Sequence, residues 1–261
     1  MNYQVITAYN PVVIKVEVES ANKIDLAIIG YDPFKINTVY FRRDKTFQGI
    51  EKLDFPCPQS PRKLKIVIFD RAEGEKSYSK TFKVLSFKVE KLKTNRHLIS
   101  QKDIVNVEFI EQFSKKAGYL LANRQYKSKD GLVIDYLPSI RMPDGSLNPT
   151  PARIHKTNDS IQVSKKHFVR MTIPMRITIL LHEYSHNYKN ITQDLEYEAD
   201  YNAMEIYTQL GYPDIEAFYA FSKIFKDNDD SVERLRSINM MLKQNRHKAG
   251  EYKAEFENSI I

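Results

Sequence analysis

The chain has 261 residues, of which 42% are apolar and 28% are charged, values typical of a globular protein with one large or two modest domains. Lysines alternate with glutamates along the whole chain. The formal net charge of +7 therefore predicts a solvated basic surface rather than the concentrated basic stripe of a nucleic-acid-binding protein. The single cysteine, Cys57, excludes an intramolecular disulfide and a thiolate zinc site, so any metal must be held by His, Asp or Glu.

Neither a membrane span nor an export signal is predicted. No stretch approaches the roughly 18 consecutive apolar residues of a membrane span. Residues 1–20 lack the basic first segment of a signal peptide, and charges interrupt their apolar run. We therefore expect an intracellular protein, or one held with partner proteins in a larger assembly.

Residues 1–92 are predicted to form a β domain with a role in attachment or interaction. Apolar and polar side chains alternate there, as expected of strands with one buried face. The clearest runs are residues 14–18, 24–28 and 64–68. The alternation slips once between Val84 and Phe87, which predicts a β-bulge. Six or seven short strands in this length favour a small antiparallel β-sandwich.

Residues 91–102 are polar and are interpreted as a linker to a mainly helical domain over residues 100–245. Asp103 is predicted to cap the first helix of this domain, and Thr172 is predicted to cap a later, strongly apolar helix. Gly211 is predicted to end the helix that follows. The helices expected beyond residue 170 cover residues 175–188, 195–210, 215–225 and 231–243.

A small sheet is expected in the same domain. Residues 132–136 have the pattern of a strand, and Ile154 with residues 161–163 predicts a hairpin that turns near Asn158-Asp159. Residues 246–261 are mostly polar and are predicted to form a tail. The predicted fold class is therefore α+β, with an N-terminal antiparallel β-sandwich followed by a mainly helical domain with a small sheet.

The sequence His182-Glu183-Tyr184-Ser185-His186 has the form H-E-x-x-H and lies in the strongly apolar helix. Residues four apart on a helix share one face, so both imidazoles can bind one metal ion. Glu183 stands beside the first ligand and can reach a metal-bound water, whose pKa Zn²⁺ lowers to near 7. This arrangement predicts a zinc site at which Glu183 is the general base. In the alternative interpretation, the two histidines are ordinary core residues.

The segment Glu196-Tyr197-Glu198-Ala199-Asp200 supplies a candidate third ligand. If it is helical, Glu196 and Asp200 share one face, and a short turn between antiparallel helices can bring that face to the histidines. Glu196 is then the third metal ligand, and Asp200 accepts the remaining N–H of a ligand histidine and so fixes its tautomer. Glu198 is the nearest competitor for the ligand role, and Glu196 or Asp200 could instead be an exposed helix charge.

Residues 180–238 resemble the gluzincin metallopeptidases, especially the CaaX-protease and HtpX type and the soluble minigluzincins. These families combine H-E-x-x-H with a ligand Glu in E-x-x-A-D, followed by Gly-Tyr at a helix end, a His-Pro and an Arg. Gly211-Tyr212 and Arg234 match the later features. The resemblance implies a zincin-like domain and a peptide or protein substrate. It also implies that Arg234 orients the site or stabilises a developing oxyanion; in the alternative interpretation Arg234 is a surface arginine of its helix.

The chain departs from these families in two respects. Asn228-Asp229 stands where they have His-Pro, so the stabilising imidazole is missing, although Asn228 can still donate a hydrogen bond. The membrane-spanning helices of the CaaX and HtpX enzymes are also missing. In zincins an edge strand before the active-site helix pairs with the substrate; residues 161–164 are predicted to be this strand, or else an ordinary strand of the sheet. Tyr184, Tyr188 and Tyr201 could supply a phenol to the transition state, but such tyrosines are more often simply core residues.

Two functions are consistent with the sequence. The first is an active zinc endopeptidase. The second is a structural protein that retains a zincin domain as a scaffold. Residues 182–225 also resemble metallopeptidase-like proteins of tailed bacteriophages, which would make the chain virion-associated. The two hypotheses differ in whether the zinc has an open position that faces solvent.

Overall fold

The structure is a computed structural model that describes residues 1–75, 78–155, 157–190, 195–224 and 229–258, without the side chains of residues 229–230 and 246–258. The chain divides into two compact units, residues 1–94 and 95–261. Antiparallel strands form the first unit, and helices with a small sheet form the second. The predicted α+β class is therefore confirmed.

In the first unit the described residues form one antiparallel sheet of β1 (Asn2–Ile6), β2 (Val12–Tyr31), β3 (Val39–Cys57), β4 (Lys63–Asp70) and β5 (Lys83–Lys91). β3 pairs with one side of β2 along almost its whole length. On the other side of β2, β5 pairs with residues 12–19 and β4 pairs with residues 26–31, while β1 pairs with β4. The predicted bulge is present, because Val84 and Ser86 of β5 pair with consecutive residues of β2.

The sheet folds back on itself at the middle of β2 and β3. Its register breaks between Ser20 and Ile24, opposite Gly49, whose φ of 85° is a left-handed conformation that glycine adopts readily. Lys45 Nζ lies 3.1 Å from Glu51 Oε1 across this break, whereas six residues of straight strand would span about 20 Å. The two halves of β2 and β3 therefore belong to two different layers.

The core of the first unit lies between these two layers. The rings of Phe41 and Phe55, from the two halves of β3, stack with centroids 4.6 Å apart. Gly30 lies directly against Phe41, since a Cβ at Gly30 would come within 2.3 Å of that ring. Ile14 and Leu26, from the two halves of β2, are at most 1% exposed. The unit has fewer strands than predicted because β2 and β3, with 20 and 19 residues, each serve both layers.

The sheet of the second unit consists of β6 (Arg124–Lys127), β7 (Val133–Leu137), β8 (Ala152–Ile154) and β9 (Ile161–Ser164), in the order β6-β7-β9-β8. β7 and β9 are parallel, and the other two pairs are antiparallel. The predicted hairpin is present, with Asn158-Asp159 between β8 and β9. Of the two alternatives for residues 161–164, the ordinary strand of the sheet is confirmed and the edge strand was wrong, because the hairpin places β8 outside β9 and leaves β8 at the edge.

The helices of the second unit are α1 (Gln101–Lys116), α2 (Lys165–Phe168), α3 (Ile173–Tyr188), α4 (Glu196–Gln209), α5 (Asp214–Ile224) and α6 (Asp229–Asn258). Thr172 caps α3 as predicted, by accepting the N–H of Met175 at 3.4 Å. Gly211, with φ of 84°, follows α4. α6 continues to residue 258, where a polar tail was predicted, because Lys, Ala and Glu favour a helix and polarity alone does not end one. No described helix is both long enough and apolar enough to cross a membrane.

Asp103 connects α1 to α3 rather than capping α1. The N-cap of α1 is Ser100, whose Oγ accepts the N–H of Asp103 at 3.2 Å. The Asp103 side chain is buried. Its carboxylate accepts hydrogen bonds from Ser100 Oγ at 2.6 Å, the Tyr184 hydroxyl at 2.8 Å and Lys189 Nζ at 2.9 Å. Because Tyr184 belongs to α3 and Lys189 follows it directly, this carboxylate fixes the end of α3 that carries the H-E-x-x-H sequence.

Candidate metal centre

α3 is buried on nearly every side, and one of its faces carries both histidines of the H-E-x-x-H sequence, of which His186 is itself buried. Leu180, Leu181 and Tyr184 lie on the opposite face and are at most 1% exposed. The Tyr184 hydroxyl donates to Asp103 on that face, so Tyr184 is a core residue, as the alternative interpretation of the tyrosines predicted. The burial of three large side chains holds the histidine face of the helix in a fixed orientation.

His182, His186 and Glu196 converge on one point. The Nε2 atoms of His182 and His186 are 3.1 Å apart. Glu196 Oε2 lies 3.3 Å from His182 Nε2, and Glu196 Oε1 lies 3.7 Å from His186 Nε2. Glu196 is the first residue of α4, so the start of this helix brings its carboxylate to the histidines. In the described part of the chain, these are the three residues whose potential ligand atoms all lie within 4.8 Å of one another.

These separations fit a tetrahedral metal ion. Zinc binds imidazole nitrogen and carboxylate oxygen at about 2.0–2.1 Å, so two of its ligands at the tetrahedral angle lie about 3.3–3.4 Å apart. The observed separations of 3.1, 3.3 and 3.7 Å lie on both sides of this value, the last two being measured to different oxygens of the Glu196 carboxylate. The Glu196 side chain is 54% exposed, so the cluster borders solvent on its side. A cluster of three candidate ligands with a solvent-facing side could hold a metal ion and leave one position open.

Asp200 and Arg234 support the cluster from the protein side. Asp200 Oδ1 lies 2.9 Å from His182 Nδ1, the ring nitrogen that does not face Glu196. Arg234, from α6, donates to both oxygens of Asp200 at 2.8 and 3.0 Å. Arg234 Nη2 also lies 2.8 Å from Glu196 Oε2. The guanidinium thus contacts the carboxylates of both Asp200 and Glu196. This position favours the orienting role predicted for Arg234 over stabilisation of an oxyanion.

The charges of the cluster perturb two of its pKa values strongly. Burial lowers the pKa of His182, but hydrogen bonds to Asp200 and Glu196 outweigh this effect and raise the pKa to about 10. Hydrogen bonds to His182 and His186 hold the pKa of Glu196 well below its usual value. The site thus stabilises positive charge among three side chains, and a bound metal ion would take the place of the proton on His182.

Glu183 lies beside the cluster in a desolvated environment. Burial raises the pKa of its carboxyl above the usual value, although His182 and His186 oppose the shift. The carboxylate accepts the backbone N–H of Ile154, the last residue of β8. Glu183 therefore has a fixed orientation and an elevated basicity, both of which suit a general base.

A cavity of about 200 Å³ adjoins the cluster. His182, Glu183, Glu196 and Arg234 form its polar side. Its other walls come from the segment Thr150–Ala152, from Ile179 of α3 and from Phe221 and Ile224 of α5. The Phe221 ring packs edge-on against His182, with centroids 5.9 Å apart. The candidate ligands and the candidate base thus line one cavity that a side chain or peptide group can enter.

The structure brings together six of the seven predicted site residues, namely His182, Glu183, His186, Glu196, Asp200 and Arg234. Asn228 lies outside the described residues. Sequence reasoning missed Phe221 and the backbone N–H of Ile154, since an apolar residue on a helix and a peptide group have no chemical signal in a sequence. The contact between β8 and α3 arises only in the tertiary structure, so the sequence does not reveal it.

Comparisons with protein-family models, with curated proteins and with solved structures find no match to the chain. The functional argument therefore depends on the residues and the geometry of the site.

Proposed function

We propose that the chain is a zinc-dependent metallopeptidase. His182, His186 and Glu196 hold the Zn²⁺, and Glu183 is the general base in the hydrolysis of a peptide bond. The observation that carries the proposal is the convergence of the two Nε2 atoms and the Glu196 carboxylate at separations of 3.1, 3.3 and 3.7 Å. Two imidazoles and one carboxylate are a known ligand set of catalytic zinc.

The proposed roles follow from the position of each side chain. When bound, Zn²⁺ would supply Lewis acidity that polarises the scissile carbonyl and makes a water molecule acidic. Glu183 accepts a proton from the attacking water and returns it to the amine nitrogen as the C–N bond breaks. Asp200 holds His182 in the tautomer whose Nε2 faces the metal. Arg234 fixes the relative positions of Asp200 and Glu196.

The open edge of strand β8 favours a peptide as the substrate. In the β8–β9 hairpin, Pro151 O accepts the N–H of Ser164 and the N–H of His155 donates to Ser160 O. Because strand peptide groups alternate in direction, Ala152 directs its N–H and C=O away from β9, towards the open edge beside the cavity. An extended peptide could add there as a further strand, with its scissile bond near Glu183. The substrate-pairing role expected for residues 161–164 is accordingly proposed for residues 152–154.

Metal analysis tests the ligand set. We expect about one zinc per wild-type chain and a marked loss of zinc in Glu196→Ala. The matched control is Glu198→Ala, which removes the other candidate carboxylate two residues further along α4. Loss of zinc from the control and not from Glu196→Ala would reassign the third ligand, and a folded wild-type protein that takes up no zinc would refute the site.

A cleavage assay on the same samples tests the reaction. We expect wild-type protein to hydrolyse a casein-type substrate, and Glu183→Ala to lose this activity while it keeps its zinc. Loss of activity through loss of metal would not support the role of Glu183 as base, so zinc must be measured in that variant. Zinc binding without any cleavage would contradict the peptidase and favour the alternative of a virion-associated or other structural protein that retains the domain as a scaffold.

A further inference from the structure

The four most exposed large apolar side chains of the described residues all belong to one end of the first unit. Ile6 is 75% exposed, Phe34 and Ile36 are each 70% exposed, and Tyr9 is 66% exposed. Ile6 ends β1, Tyr9 lies in the turn from β1 to β2, and Phe34 and Ile36 lie in the turn from β2 to β3. We refer to these four residues as the apolar tip.

Contacts with the start of β4 place the two turns side by side. Ile6 pairs with Lys63, and the N–H of Ala8 donates to the carbonyl of Arg62 at 3.1 Å. Lys63 Nζ also lies 5.9 Å from the centre of the Phe34 ring. Both turns therefore lie beside the start of β4, with Lys63 next to each of them, and the apolar tip is one surface rather than four separate residues.

Hydrogen bonds define the backbone of these turns. Ala8, Tyr9 and Asn37 have φ values of 50°, 66° and 52°, in the left-handed region that turns use. The N–H of Asn10 donates to Thr7 O, and the N–H of Asp32 donates to Thr38 O. Exposed apolar side chains grouped on one surface indicate a binding function.

Basic side chains outnumber the acidic Asp32 around the apolar tip; Asp32 Oδ1 accepts the N–H of Phe34 at 2.9 Å. Arg62 and Lys63 are exposed at the start of β4, and Lys35 is exposed between Phe34 and Ile36. Lys65 Nζ lies 5.6 Å from the centre of the Tyr31 ring, at the end of β2 beside the same turn. The partner of this surface should therefore combine apolar material with negative charge.

We propose that the apolar tip inserts into the surface of a membrane that contains anionic phospholipid, with Arg62 and Lys63 on the phosphates of the headgroups. Ile6 stands at the end of β1, the other three side chains stand on turns, and all four are exposed to solvent. The headgroup region of a lipid layer adapts to the shape of such a surface. Tyrosine, short apolar insertions and long basic side chains suit that region. This inference is independent of the proposed peptidase activity.

Vesicle co-sedimentation of the full chain tests the proposal. The vesicles are phosphatidylcholine alone, and phosphatidylcholine with about 30% phosphatidylglycerol, which supplies the anionic headgroups. We expect binding to the anionic vesicles, little binding to the neutral ones, and weaker binding at about 0.5 M salt because of charge screening. Phe34→Ser/Ile36→Ser and, separately, Arg62→Glu/Lys63→Glu should each weaken the binding about tenfold or more.

The matched control is Ile50→Ser, which removes an apolar side chain that is 57% exposed near the corner of the folded sheet, away from the apolar tip. It should bind within about twofold of wild type, since it lies outside the lipid contact. Thermal unfolding verifies that each variant is folded. The proposal is overturned if wild type fails to bind the anionic vesicles, or if both double variants bind as tightly as wild type. If wild type fails to bind the anionic vesicles but specifically binds an acidic protein, the partner of this surface is an acidic protein instead.

Discussion

At the scale of single residues, Asp200 connects His182, a proposed metal ligand, to Arg234. Its carboxylate is almost fully buried, lies 2.9 Å from His182 Nδ1 and accepts two hydrogen bonds from Arg234. We predict that Asp200→Asn lowers the affinity for zinc by about 10–100-fold, because the amide neither fixes the histidine tautomer equally well nor balances the guanidinium charge. Competition with a chromogenic chelator measures the affinity.

Glu205→Gln is the control for this prediction, since it removes a carboxylate from the same helix, away from the cluster. Its zinc affinity should equal that of wild type. An unchanged affinity in Asp200→Asn would show that the contact with His182 does not hold the ligand.

We predict that the Asp103 carboxylate contributes to the stability of the fold in a way that depends on pH. Burial raises the pKa of its carboxyl, but hydrogen bonds from Ser100, Lys189 and Tyr184 outweigh this and lower it below the usual value. A carboxylate with a depressed pKa stabilises the fold above its unfolded-state pKa of about 3.9, and the contribution is lost as the pH falls through the folded-state pKa. Asp103→Asn should therefore reduce the free energy of unfolding by about 1–3 kcal/mol at pH 7 and by less near pH 3.

Denaturant unfolding of wild type and Asp103→Asn at the two pH values measures this difference. Asp130→Asn, at an exposed loop position, serves as the control and should change the free energy of unfolding by less than about 0.5 kcal/mol. A destabilisation by Asp103→Asn that stays equal at both pH values would exclude the ionised carboxylate as its source.

Much of the site could be predicted at this scale, because its chemistry lies in residue types at fixed spacing. His182 and His186 share a helix face by periodicity, and Glu196 and Asp200 do so on the next helix. The role of Asp103 could not be predicted, because its partners Tyr184 and Lys189 lie more than 80 positions away and only tertiary packing brings them to it.

At the scale of elements, the contact of β8 with α3 joins the edge strand to the candidate base. The N–H of Ile154 donates to Glu183, so the strand that would receive a substrate also orients the base. Ile154→Pro removes this donor at an edge strand, where proline is tolerated. We predict that it lowers kcat about tenfold or more at unchanged zinc content, since hydrogen bonds to charged groups contribute about 1.5–3 kcal/mol.

Ile154→Val keeps the N–H and the strand, and it should keep near wild-type kcat. Steady-state kinetics with a peptide substrate, together with metal analysis, compares the two variants. Equal rates for both would mean that the backbone donor does not position Glu183.

The elements themselves were predicted unevenly, for physical reasons. The helices of the second unit follow from apolar periodicity, from the cap at Thr172 and from Gly211. The order of strands does not follow from period-2 alternation, which is the same in edge and interior strands; this is why β9 was predicted at the edge that β8 occupies. The length of α6 was missed because a polar helix leaves no apolar stripe to detect.

At the scale of the whole molecule, the division into two units predicts unequal responses to metal. A ligand that binds only the folded state stabilises the unit that contains its site, by about 2.7 kcal/mol at 100 times its dissociation constant. We predict that adding zinc to chelator-treated protein raises the unfolding temperature of the second unit and leaves that of the first unit unchanged. Calorimetry follows both transitions, and circular dichroism distinguishes helix from sheet.

The control for this prediction is Gly30→Ala, whose Cβ would come within 2.3 Å of the Phe41 ring. Overpacking of this kind costs about 1–3 kcal/mol, so the substitution should lower the transition of the first unit alone. If zinc shifted both transitions equally, the two units would unfold as one.

The sharing of β2 between two layers also has a consequence for the order in which the first unit forms. The turn at residues 32–38 joins β2 to β3, so this pair can form from its closed end, where Tyr31 meets Val39, towards Val12 and Cys57. β5 must then return from residues 83–91 to meet residues 12–19, which closes a much longer loop at a greater entropic cost. Until it does so, one layer of the sheet lacks its outer strand, and the chain carries an unpaired edge during the slowest part of its folding.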